Sequence, residues 1–245
     1  MSTATSPQII ELGAMRRICS GCSLRELCLP AGLDSEAISA LDEFVQKKQD
    51  LHVQELAYRA GDIASNIYAV RLGSFKSYRL RENGDVQIVG IHLPGELFGL
   101  DALASEQRQI YTEALEKSNV CALPVADLER LSRQIPAIGR QMMRLMAREL
   151  NSSYEEHELL ANDTALTRVA KFIWRYVQRR KQVGLQTRQF DIAISRQDLA
   201  NYLGLQVETV SRAFRELRDR KVITASRSKL EILDHAALQA LIRSD

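Results

Sequence analysis

Three of the four cysteines fall within ten residues, as Cys19-Ser-Gly-Cys22-Ser-Leu-Arg-Glu-Leu-Cys28, and the fourth, Cys121, stands alone far downstream. Several thiolates converging on one point are what a soft metal ion or an iron–sulfur cluster needs. A short loop containing glycine can wrap three of them around a common centre. The fourth ligand must then come from whatever part of the chain folds back against the loop. Other readings use the same residues. The thiols could pair as a small disulfide knot. Four could close a static zinc site, although Cys-x2-Cys-x5-Cys is not a common zinc spacing. One thiol beside a cation could act as a metal-free redox switch, and Arg25 could supply the cation. Buried cysteine is common in protein cores, but three so close together in a chain with only four argue against coincidence.

The compartment bears on that choice. Met1–Arg17 lacks a continuous apolar signal region, and no stretch approaches the roughly 20 apolar residues of a membrane span. The expectation is a cytoplasmic protein with no membrane partner, where thiols stay reduced and a metal or cluster is favoured over disulfides. At 245 residues, 45% hydrophobic and 26% charged, the chain can fold as one large domain or two modest ones. No Ser/His/Asp spacing, P-loop or zincin motif occurs, and His52, His92, His157 and His235 are scattered. No enzyme is expected.

The elements that must position the cysteines can be read in order. Asp34 to Gln46 carries Ile38, Leu41, Phe44 and Val45 on one face of a short helix. From Leu51 to Pro124 short runs of β-formers are punctuated by glycine: Ile67–Gly73, Ser74–Leu80 and Val86–His92, with Glu82-Asn-Gly-Asp85 as a hairpin turn in which Asn-Gly takes left-handed conformations. Many short strands at regular spacing predict an antiparallel barrel or roll, and Cys121 falls near its end. From Pro136 the period becomes helical over about twenty-five residues. Its apolar seam of Ile138, Met142, Leu145, Met146, Leu150 and Leu160 is interrupted by Glu149, Ser153 and His157, which suits a dimer interface of moderate strength. A second helix spans Ala165 to Lys181, with Val169, Phe172, Ile173 and Tyr176 inward, and Asp163-Thr164 is the hinge between the two.

Beyond the hinge the charge changes sign. Residues 1–163 hold 17 Lys/Arg against 23 Asp/Glu, whereas 164–229 hold 15 against 5. A basic segment behind an acidic one suggests a nucleic-acid-binding unit joined to one that avoids phosphates. Within it, Ser195 can cap a helix whose Leu199, Ala200 and Leu203 face inward, and Gly204 supplies a tight turn. Val207–Leu217 then buries Val210, Phe214 and Leu217 while exposing Glu208, Ser211, Arg212 and Arg215: a helix-turn-helix. Val222–Leu233 reads as a hairpin wing with a basic tip.

Roll, long helix, winged helix-turn-helix and a leading cysteine loop, in that order, resemble the CRP/FNR superfamily of bacterial transcription regulators over nearly the whole chain. The Cys19/Cys22/Cys28 loop, Cys121 within Ala114–Pro124, Gln141-Met-Met-Arg-Leu-Met146 and Asn201–Arg212 resemble the oxygen-responsive FNR/ANR branch. The resemblance implies an α+β fold. Its parts would be an N-terminal cysteine loop (1–33), an antiparallel β-roll of the cyclic-nucleotide-binding, jelly-roll kind (34–135), a dimerisation helix (136–162) and a winged helix-turn-helix (163–245). It implies that the four cysteines hold a [4Fe–4S] cluster which oxygen converts or destroys, and that the loaded homodimer binds double-stranded DNA and meets RNA polymerase as activator or repressor. The half-site would be TTGAT in an inverted repeat. Arg reads guanine and Glu accepts from cytosine, so Arg212 and Glu208 would read a G·C pair, with Ser211 against a thymine. Arg215, Arg196 and Arg227 would meet phosphates, and Gln197 and Thr209 complete the DNA-contacting set.

A cyclic-nucleotide receptor is the competing reading within the superfamily. Pro94-Gly-Glu-Leu-Phe-Gly99 is superficially similar to its phosphate cassette. Aligned on Gly99 and on the strand of Glu116-Lys117, however, the acid that engages the ribose falls at Leu100 and the Arg-Ser pair that holds the phosphate falls at Ile110-Tyr111. Apolar side chains cannot neutralise a buried phosphate, so no cyclic nucleotide partner is expected.

Overall fold

The β-forming half of the sequence builds two four-stranded antiparallel sheets that face one another as a roll. The structure, a computed structural model, describes residues 19–160, 163–226 and 228–243. In chain order the elements are α1 (Ser35–Phe44), β1 (Gln46–Leu51), β2 (Leu56–Tyr58), β3 (Asn66–Leu72), β4 (Phe75–Leu80), β5 (Val86–His92), β6 (Leu97–Phe98), β7 (Tyr111–Ala114), β8 (Ser118–Pro124), α2 (Val125–Gln134), α3 (Pro136–Leu160), α4 (Ala165–Gln182), β9 (Gln189–Asp191), α5 (Arg196–Leu203), α6 (Val207–Asp219), β10 (Ile223–Ser226), β11 (Lys229–Ile232) and α7 (His235–Arg243). One sheet of the roll runs β1-β8-β3-β6 and the other β2-β7-β4-β5; β10-β11-β9 forms the wing.

Side-chain alternation explains why the first sheet is buried on both faces. Tyr68, Val70 and Val120 point into the roll, against Tyr58, Phe75 and Phe98. Tyr68 stacks on Phe98 with ring centroids 5.2 Å apart. Ile67, Ala69, Cys121 and Leu123 point the other way, into a second core closed by α1, α2, α3 and the cysteine loop. Thus Cys121, on a central strand, faces the loop that carries the other three.

The helices start where local chemistry dictates. Asp34 caps α1 by accepting from the Ala37 amide at 2.9 Å, satisfying an otherwise orphaned N–H. Pro136 opens α3, where its missing N–H costs nothing. Thr164 caps α4. The hairpin after β4 departs from the expected turn. Only Gly84 of the Asn-Gly pair takes positive φ (+84°), and Arg81 closes a three-residue loop by donating to the Asp85 carbonyl at 2.9 Å. Asn83 does not take positive φ and instead bonds Asp85 through its side chain. One left-handed residue suffices in a loop of that length.

The winged helix packs directly on the roll. Ile88, Ile91 and Leu93 share one apolar core with Phe172, Ile173, Tyr176, Leu199 and Phe214. β5 is an edge strand, and α5 covers it: Asn201 accepts from the Ile88 amide at 2.7 Å and donates to the Val86 carbonyl. Lys76 bridges to Asp198 at 3.1 Å and to Glu113 at 3.4 Å, and Arg179 reaches back from α4 to Glu96 and the Ile91 carbonyl.

Candidate functional sites: a four-cysteine cavity and a nucleic-acid interface

Residues 19–33 form a chain of tight turns. The Cys22 amide donates to the Cys19 carbonyl at 3.2 Å, Cys28 to Leu24 at 3.1 Å and Ala31 to Cys28 at 3.0 Å. Two polar side chains from the helices pin this loop. Asp42 of α1 accepts from the Cys19 amide at 2.5 Å and from the Ser20 hydroxyl at 2.8 Å. Gln141 of α3, almost wholly buried, donates to the Cys28 carbonyl at 3.2 Å. The result is one cavity lined by Cys19, Cys22, Cys28 and Cys121, walled by Leu24, Leu29, Val45 and Leu123, with Arg25 and Arg71 at its side. None of the four cysteines is in a disulfide. Among the described residues, no three His, Cys, Asp or Glu side chains are grouped as around a single metal ion.

Two of the thiols in this cavity, Cys28 and Cys19, are held in the protonated form. Burial pushes Cys28 up to about 12, and the neighbouring Cys121 and Cys22 push in the same direction. Burial and the Asp42 carboxylate push Cys19 up further. A metal-free switch needs a thiol whose pKa is depressed; Cys19 and Cys28 are the opposite. The Arg25 guanidinium pairs with Glu26 at 2.8 Å. Asp42 and Gln141 were not foreseen as site residues. The signal was there: each is a polar side chain on an otherwise apolar helix face, one turn from Ile38 and Ile138 respectively.

The helix-turn-helix presents a second site. Ser195 caps α5 by accepting from the Asp198 amide at 2.9 Å, and Gly204 (φ +63°) makes the left-handed turn into α6. Val210, Ala213, Phe214 and Leu217 anchor α6 to the domain. Glu208, Ser211, Arg212 and Arg215 are exposed along its outer face, and Gln197 is exposed at the start of α5. Half-buried Thr209 accepts from the Arg212 guanidinium at 3.1 Å, which orients it along the helix. Arg196, expected at a phosphate, also packs within the domain. Its guanidinium lies over the Phe214 ring, 3.4 Å from the centroid, and burial lowers its pKa; the planar cation stacks on an aromatic face within the domain. Arg227 lies outside the described residues.

The long helix divides its expected seam in two. Ile138, Met142 and Leu145 are buried in the chain's own core, against α1, α2 and the cysteine loop, because those elements cover that stripe. Among the described side chains of the helix, Met143, Leu150 and Tyr154 are the large apolar ones left exposed, with Met146 and Ser153 half-buried beside them. Glu149 faces the cleft towards α4. The side chains of His157 and Leu160 lie outside the described residues.

At the cassette positions, Leu100 packs under the cysteine-loop core, Ile110 packs against the aromatic roll core, and Tyr111 stacks on Tyr78 at 5.2 Å. The buried cation nearby, Arg108, is already paired with Asp101 at 2.8 Å and bonded to the Gly99 carbonyl.

Residues 48–134 match the model of the cyclic nucleotide-binding domain, and residues 167–241 that of the Crp-like helix-turn-helix domain. Among curated proteins the chain is 40% identical to the transcriptional activator protein Anr of Pseudomonas protegens, over 91% of both chains. It is 35% identical to the fumarate and nitrate reduction regulatory protein of Vibrio cholerae, over 95% of this chain and 93% of that one. The chain belongs to the Anr/FNR group of CRP/FNR regulators. Among solved structures, FixK2 from Bradyrhizobium japonicum superposes with a TM-score of 0.72 at 27% identity, covering 80% of this chain and 96% of that one. As a member of the group, the protein is a DNA-binding transcription regulator rather than an enzyme, with the α+β architecture described above. No helix among the described residues is long and apolar enough to cross a membrane.

Proposed function

We propose that this Anr/FNR-type regulator is an oxygen sensor controlling anaerobic gene expression, in which Cys19, Cys22, Cys28 and Cys121 hold one [4Fe–4S] cluster. The observation that carries this reading is the one cavity lined by all four thiols, three from one loop and one from a central strand. The donor set fits: four sulfurs in an apolar-walled site, with the buried Nε–H of Arg71 left without a hydrogen-bond partner at its side. A cluster, which interposes iron between each thiolate and the common centre, also suits thiols that share a cavity without meeting at one point. Bound there, it supplies reactivity towards oxygen. The chain supplies the readout. Asp42 and Gln141 tie the loop to α1 and α3, so a loop no longer anchored to Cys121 changes the support of the long helix.

In this reading two copies associate along α3 and place their α6 helices in successive major grooves, matching a two-fold TTGAT inverted repeat. Glu208 and Arg212 read the G·C pair, Ser211 a thymine, and Arg215 a phosphate. The chain works in the cytoplasm, meets RNA polymerase, and takes no cyclic nucleotide, in keeping with Leu100, Ile110 and the Asp101-paired Arg108. The test is anaerobic purification with iron and sulfide analysis of the wild type and the four Cys→Ser variants. A coloured wild type and four colourless variants are expected; full loading of Cys121→Ser would remove Cys121 from the ligand set.

A further inference from the structure

Arg71 occupies an irregular position in β3. Val70 pairs with Val120 and Leu72 with Asn119, so Arg71 is the extra residue of a β-bulge. Counting by twos from Ile67 and Ala69 already places Arg71 on the sheet face that carries the cysteine cavity; past the bulge it stays at the cavity wall while Leu72 is exposed. The guanidinium is held from one side only. Its Nη1 donates to Asn119 Oδ1 at 3.1 Å, and Asn119 in turn donates to Asp50 at 2.7 Å. Asn119 lies two residues before Cys121 on the same strand, hence on the same face. The Nε–H is buried and has no hydrogen-bond partner among the described residues. A buried N–H without a partner costs free energy, and a chain of side chains that fixes such a donor beside four thiols calls for an acceptor there.

Resting on the iron–sulfur reading above, we propose that Arg71 is the charge partner of the cluster. Its Nε–H donates to a cluster sulfur, and its guanidinium offsets part of the negative charge that four thiolates bring. Net charge and hydrogen bonds to sulfur are what the protein uses to set a cluster's potential and lifetime. Arg25, the other cation on the cavity wall, pairs with Glu26, which leaves Arg71 to do this. Asn119 is then the residue that positions Arg71.

The full-length protein, loaded anaerobically with ferrous iron and sulfide, provides the test as wild type, Arg71→Ala, Arg71→Lys and Asn119→Ala. Removing the donor and the charge should lower the cluster's midpoint potential and speed bleaching of the visible absorbance in air roughly 10-fold, the low end for loss of an outer-shell partner. Arg71→Lys, which keeps the charge and loses the planar donor, should fall between, as should Asn119→Ala. Wild-type bleaching rate and potential in Arg71→Ala would overturn the proposal. Should Arg71→Ala hold no cluster, wild-type values in both other variants would overturn it instead. A wild type that takes up neither iron nor sulfide would sink the iron–sulfur reading itself, and the proposal with it.

Discussion

Replacing Leu150 by Ala should weaken the dimer while leaving the monomer fold intact. Met143, Leu150 and Tyr154 are 66%, 53% and 59% exposed, and with Ala147 between them they recur at four, three and four residues, the spacing of a coiled-coil seam. Burying a whole Leu side chain is worth ~1.5–3 kcal/mol. About half of Leu150 remains to be covered, so each copy contributes about 1 kcal/mol, and a two-fold interface loses it twice, about 2 kcal/mol or roughly 30-fold in dimer Kd. Ala is the better helix former, so the thermal midpoint of dilute, monomeric protein should hardly move. Leu145→Ala is the contrasting variant. Leu145 is 6% exposed in the core beneath the cysteine loop, and its truncation should cost the monomer ~2–5 kcal/mol. Anaerobic sedimentation equilibrium across a concentration range, with melting curves alongside, distinguishes the two. A dimer unchanged in Leu150→Ala but dissociated in a still-folded Leu145→Ala would refute the division of α3 into a core stripe and a seam.

Glu208→Ala should relax preference at the G·C position of the half-site by ~1–3 kcal/mol, read from competition binding with each base pair substituted in turn; an unchanged preference would disqualify α6 as the base-reading helix. His92 should make the fold acid-sensitive. It is buried, bonded to Ser77 at 2.8 Å, and burial pushes its pKa down to about 4, with Arg179 lowering it further and Glu96 opposing. Below the unfolded value near 6.5 only the unfolded chain takes the proton, so stability falls as pH drops from about 6.5 towards 4, by ~2 kcal/mol at pH 5. His92→Gln should lose that much less stability than wild type between pH 8 and 5 in urea unfolding, and equal losses would show that His92 is not responsible.

The parts legible in the sequence are those whose signals are local. Ser195, Gly204 and the spacing of Val210, Phe214 and Leu217 lie within twenty-odd residues, and the helix-turn-helix formed as they predict. The same holds for β3, β4 and β5 and for the full span of α3. What escaped depends on distant segments. A 25-residue helix carries two apolar stripes, one through Ile138, Met142 and Leu145 and one through Met143 and Leu150. Periodicity cannot say which is covered by the chain itself, because the cover comes from α1, α2 and the cysteine loop. Asn201 was visible within the motif, but its bonds to the β5 edge join residues more than a hundred apart. Arg71 shares the face of Ile67 and Ala69 by simple alternation, but neither the cavity it borders nor its partner Asn119 can be read from the strand itself. Arg196 reads as a surface cation until Phe214 is placed beside it.

The central claim is that the four-cysteine cavity governs DNA binding through the long helix. One anaerobically prepared sample, measured before and after exposure to air for sedimentation mass and for binding to an inverted TTGAT repeat, tests it most directly. A DNA-binding dimer is expected beforehand and, once the colour has bleached, a mostly monomeric protein with weak DNA binding. An unchanged dimer mass alongside lost DNA binding would place the control in reorientation of the winged helices rather than dissociation. Unchanged binding after complete bleaching would contradict the claim.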